Sequence, residues 1–164
     1  MCAAVLHERK DVIALPSMRE RLQRYAALRM ENENRLEQLA RLRADAELPA
    51  QREADGSGQT GSSGDRMARA VERYMEYQQQ IKPIIEANRR EMEDVRAAVE
   101  ALDDPMKREV LRLRYLDTNG CRLMRWRDVA LALYGDDDEK HILAAYRIHD
   151  KAVESIRFVK NDSF

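Results

Sequence analysis

Apolar and polar residues follow a helical period along most of this chain, and the quality of that period divides it into segments. Residues 1–15 mix charge and short apolar stretches and read as an N-terminal tail. Pro16-Ser17-Met18-Arg19-Glu20 then spells a capping box, in which Ser17 accepts from a backbone N–H and Glu20 reaches back. Behind it Met18, Leu22, Tyr25, Leu28, Leu36, Leu39 and Leu42 form one apolar stripe up to about Ala46, with Arg29 and Asn32 weakening its middle. A helix with so narrow a stripe needs a partner.

The strongest pattern comes next. Met67, Val71, Tyr74, Gln78, Ile81, Ile85, Asn88, Met92, Val95, Val99 and Leu102 alternate steps of four and three, the signature of a coiled-coil seam. At 1.5 Å per residue this helix would span about 55 Å. Val71, Tyr74, Gln78, Ile81, Ile85, Asn88, Met92 and Val95 are the residues expected to join copies of the chain, with Gln78 and Asn88 as polar positions that select a register. Whether the first helix pairs with the second of its own chain or of a neighbour is open at this point. Pro83 lies off the seam and should kink the helix near Gln79.

Between the two helices, residues 47–64 hold four of the six glycines among serines and read as a flexible linker that lets the chain fold back. No Gly-Lys-Ser/Thr follows, so a phosphate-cradling loop is not expected. Asp104 as N-cap and Pro105 at the first position start a third helix, with Val110, Leu111, Leu113 and Tyr115 on its apolar face through Leu116. Asp117-Thr118-Asn119-Gly120 ends it. A short helix from about Arg125 to Leu133 is anchored by Trp126, and after the break at Gly135 a last one runs from about Asp138 to Phe158. Its inner face takes Ala145, Ile148, Ala152 and Ile156 together with either Ile142 or Leu143. Residues 159–164 form a C-terminal tail.

Composition narrows the options. With 36% charged and 5% aromatic residues the chain suits long helices with narrow stripes better than a thick core. Apolar runs such as Val129 to Tyr134 stay far short of the roughly 20 residues of a membrane span. Two cysteines, Cys2 and Cys121, make no disulfide framework and fit a reducing, cytoplasmic setting. Neither they nor His7, His141 and His149 show the paired spacing of a zinc site, and no catalytic constellation or cofactor is indicated. The net charge of -1 hides segregation, since residues 107–127 carry seven basic side chains against two acidic ones. That is the footprint expected beside a phosphate backbone. On the last helix Lys140, Ala144, Arg147 and Lys151 share an outward stripe flanked by Tyr146, although Asp136, Asp137, Asp138 and Glu139 precede it.

Three stretches carry a resemblance. Leu102-Asp103-Asp104-Pro105-Met106-Lys107-Arg108-Glu109-Val110-Leu111-Arg112-Leu113-Arg114-Tyr115-Leu116, then Trp126 through Gly135, then Tyr146 through Ile156 resemble the sigma-factor region-4-like domain of phage and prophage regulators of the ArpU and RinA type. The resemblance covers about residues 65–158. It implies a helix-turn-helix transcriptional regulator of a bacterial host cell that binds double-stranded DNA. By it the helix from Trp126 is the supporting helix, and the one bearing Tyr146, Arg147 and Lys151 enters the groove. Asn119–Arg125 is longer than the family's loop, and Asp136–Glu139 replaces its compact turn.

The expectation is therefore an all-α, non-enzymatic protein: a helical hairpin or coiled coil over 16–102 and a three-helix head over 103–158. The head would bind duplex DNA through Lys140, Ala144, Tyr146, Arg147, Lys151, Arg125, Arg127 and Arg122, as a homodimer or higher homo-oligomer on two half-sites, with RNA polymerase as a further candidate partner. The rival is a coiled-coil adaptor that grips RNA polymerase or a packaging component and never reads DNA.

Overall fold

The computed structural model describes residues 16–47, 63–118, 120 and 122–156. The N-terminal tail, most of the Gly/Ser linker, Cys2, Cys121, Asn119 and the chain after Ile156 lie outside them. All the regular structure described is helical: α1 (Met18–Glu47), α2 (Ser63–Glu100), α3 (Pro105–Leu111) with a π-helical turn (Arg112–Leu116), α4 (Trp126–Tyr134) and α5 (Glu139–Ser155).

The start of α1 follows from its capping box. The Ser17 N–H donates to Glu20 Oε2 at 2.7 Å, and the Glu20 N–H donates to Ser17 Oγ at 3.3 Å. α1 and α2 pack antiparallel within one chain, because Arg21 meets Glu91, Asn32 meets Asn88 and Gln38 meets Tyr77. α2 runs as one helix through Pro83. Of the two pairings left open by the sequence, the one within the chain is seen here.

The closure has a gradient. Ile81, Ile85, Val95, Val99 and Leu102 are buried, whereas Met67 and Val71 are 48% and 36% exposed and Gln78 is exposed. In the outer half the inward positions are Ala70, which is buried, and Tyr74 and Tyr77, which are half-buried. The seam read from the sequence therefore needs two corrections. Ile81, Ile85 and Val95, with half-buried Asn88 and Met92, pack against α1 of the same chain, and Val71 and Gln78 are exposed. The physical reason lies opposite them, where α1 buries only small Ala46, keeps Leu39 and Leu42 half-buried and leaves Leu36 44% exposed.

The polar interruptions turn out to be matched. Asn88 Nδ2 donates to Asn32 Oδ1 at 2.9 Å and to Glu31 Oε2 at 3.3 Å, so one register pairs amide with amide and any slip buries an unpaired one. Arg21 grips Glu91 with two hydrogen bonds of 2.6 and 2.8 Å, a bidentate geometry that resists sliding as well.

The base of the hairpin and the head share one core. Met18, Leu22, Tyr25, Val95, Val99 and Leu102 of the hairpin meet Leu111, Tyr115, Leu116 and Ala152 of the head. The π turn makes this possible. Asp117 N–H donates to Arg112 O at 2.9 Å, five residues back, and that wider spacing lets Leu111, Tyr115 and Leu116 all point inward. Asp104 caps α3 by accepting from the Met106 N–H at 2.8 Å. Gly135 ends α4 in the left-handed region at φ 79°, where a Cβ would be strained, and turns the chain into α5.

Candidate nucleic-acid interface

α4 and α5 are joined by the short turn at 135–138 and held by stacked rings. The Trp126 and Tyr146 centroids lie 4.1 Å apart, Trp126 meets His149 edge-on at 5.0 Å, and Tyr134 stacks on His141 at 4.7 Å. Arg114 from the π turn covers Trp126, with its guanidinium carbon 4.6 Å from the ring centroid. These contacts set the angle between α4 and α5 from both ends.

His149 is the buried centre of that arrangement. Its Nε2 lies 2.8 Å from the Tyr115 hydroxyl and its Nδ1 lies 3.0 Å from Asp150 Oδ1. Asp150 in turn pairs with Arg19 of α1 at 2.8 Å. Burial pushes the imidazole below its ordinary pKa, against the opposing pull of Asp150. A neutral ring satisfies both neighbours, with Nδ1–H donating to Asp150 and Nε2 accepting from Tyr115.

The cations of the head divide into two populations. Lys107 donates to Ser155 Oγ at 2.8 Å, Arg108 to the carbonyls of Leu102 and Asp103, and Arg112 pairs with Asp117 at 2.9 Å. With Arg114 over Trp126, four of the seven basic residues in 107–127 hold the head together. Much of the charge excess there is thus engaged within the head. Arg127 belongs to the same group, since it pairs with Asp137.

The second population points to solvent. Arg122, Arg125, Arg147 and Lys151 have exposed residues and, among the described residues, no ion pair or side-chain hydrogen bond. On α5, Lys140, Arg147 and Lys151 are all exposed and fall on one stripe at steps of seven and four. Lys140 keeps only a loose contact of 3.7 Å with Asp138, both groups being mostly exposed. Two expected members sit differently. Ala144 is half-buried, and Tyr146, though 41% exposed, has its ring laid against Trp126. The Trp126–Tyr146 stack places the N-terminal end of α4, with Arg125, beside the middle of α5.

The acids before α5 are matched one by one. Asp136 contacts His141 Nδ1, whose hydrogen bond holds the carboxyl below the usual range; Asp137 meets Arg127; Asp138 approaches Lys140. Ligand atoms of Asp136, Asp138 and His141 lie within 4.8 Å of one another, so three donors for a cation converge, but each already has a partner in the chain.

Sequence reasoning missed Arg29 as a clamp. Counted as a flaw in the stripe of α1, it donates to the carbonyls of Leu116, Thr118 and Gly120 and ties α1 to the loop before α4. An arginine on an apolar stripe at the level of a loop was the available signal. No helix among the described residues is long and apolar enough to cross a membrane. No protein-family model, curated protein or solved structure matches the chain.

Proposed function

We propose that the chain is a double-stranded DNA-binding transcriptional regulator, with α4 and α5 acting as a helix-turn-helix and α5 lying in the major groove. One observation carries this reading: α5 presents Lys140, Arg147 and Lys151 outward on a single stripe while most other cations of the head are engaged inside. A stripe about three helical turns long, held by Trp126, Tyr146 and His149, matches what a groove-binding helix needs. Arg122 and Arg125, at the entry to α4, supply phosphate contacts that position the helix. The resemblance of 102–116, 126–135 and 146–156 to the region-4-like domains of phage regulators supports the same assignment.

The hairpin sets the number of heads. Met67, Val71 and Met75 recur at steps of four on α2 and stay exposed at the end far from the head, which favours self-association there. Pairing would present two heads to one duplex and make the second contact intramolecular.

The experiment is duplex binding by the full chain and by its Arg147→Ala/Lys151→Ala variant. The reading expects the variant to lose at least tenfold in affinity with helicity and mass unchanged. Equal binding by both proteins overturns the role given to α5, and no duplex binding by either leaves the adaptor as the reading that stands.

A further inference from the structure

Resting on the assignment of α5 to the major groove, we infer that Leu143 is a base-reading residue that packs against the 5-methyl group of thymine. The helix supplies its own contrast. Ala145, His149 and Ala152 are buried and Ile142, Ile148 and Val153 are half-buried, so the inner face of α5 is complete without Leu143. Leu143 is instead 48% exposed. Of the two residues the sequence offered for the inner face, Ile142 takes it and Leu143 points away. It lies three residues after Lys140 and four before Arg147, which places an aliphatic side chain between two outward cations on one helical stripe.

That arrangement fits one kind of occupant. Long cationic side chains on either side reach phosphates, while the leucine between them has no charged group to satisfy and meets the groove floor. The major groove offers one prominent apolar feature, the thymine methyl, since the other base edges present donors and acceptors. Half-buried Ala144 beside it adds no bulk that would hold the helix away. Leu143 thus gives the site a preference that phosphate contacts cannot supply.

The test begins by selecting the tightest duplex from a random pool with the full chain. Each thymine of that duplex is then replaced singly by uracil, which removes the methyl and leaves pairing intact. Affinities are measured for the native protein and for Leu143→Ala. At one thymine, uracil should weaken the native protein about fourfold and leave Leu143→Ala unaffected, so the two changes are not additive. Two outcomes overturn the inference: a selected site at which no uracil substitution matters, or a uracil effect equally large in both proteins, which is the same as a Leu143→Ala loss equal on thymine and uracil duplexes. Because the native protein on uracil duplexes is itself a readout, the test survives a variant that folds poorly. Failure to select any duplex removes the DNA-binding reading as well, and so separates the two failures.

Discussion

In the hairpin, arginines meet carboxylates one turn away or across the seam: Arg35 with Glu31, Arg41 with Glu37, Arg21 with Glu91. Around the head, besides the carboxylate pairs Arg112–Asp117 and Arg127–Asp137, arginines also reach backbone carbonyls and rings: Arg108 with Leu102 and Asp103, Arg29 of α1 with the loop carbonyls, Arg114 with Trp126. The first arrangement repeats with the helix and adds little beyond solubility where the pairs are exposed. The second is not periodic and fixes three short helices that have little core of their own. A head built this way has few cations left over, so the ones it leaves outward stand out: Arg122, Arg125, Arg147 and Lys151.

The contrast can be broken most severely in the inner hairpin. Ile85→Asp places a charge in the buried seam and should cost several kcal/mol, about 3 or more, read as a fall in chemical denaturation midpoint. Val71→Asp on the outer stripe should stay within about 0.5 kcal/mol while reducing self-association in sedimentation. Equal losses at the two sites would mean that the halves of α2 do not differ as described.

Next in size is the amide pair. Asn32→Leu leaves the Asn88 amide with only its longer hydrogen bond to Glu31 and should destabilise by about 1–3 kcal/mol, and adding Asn88→Leu should restore much of the loss. Additive losses would show that the two amides act independently.

A smaller effect probes the head. His149 has a lowered pKa in the folded state, so the unfolded chain takes up the proton more readily. Stability is then full above about pH 6.5, the unfolded value, and declines as pH falls below it. His149→Gln should flatten that part of the pH–stability profile, and a slope unchanged by the substitution would place its origin elsewhere.

Much of the fold could be read along the chain because its causes are local. The Ser17–Glu20 box, the Asp104 cap and the Gly135 stop depend on residues within a few positions of one another. The seam was legible from Ile81 to Leu102 for the same reason, and its outer half was misread because burial there depends on what α1 places opposite. The site was legible as a stripe and obscure in its membership. No spacing rule shows that Arg127 meets Asp137, that Arg108 turns to the Leu102 carbonyl, or that Leu143 rather than Ile142 faces out. Those choices are tertiary, fixed by the widened π turn and by rings from three helices meeting at His149.

In the DNA-binding proposal, the outward stripe of α5 and the arginines at the entry to α4 engage a phosphate backbone. A titration of duplex affinity against monovalent salt tests it most directly. Engagement of Arg122, Arg125, Lys140, Arg147 and Lys151 predicts a log–log slope near -0.9 per phosphate neutralised, on the order of -3 to -5 for one head. A slope near zero, or no measurable affinity at low salt, would contradict it.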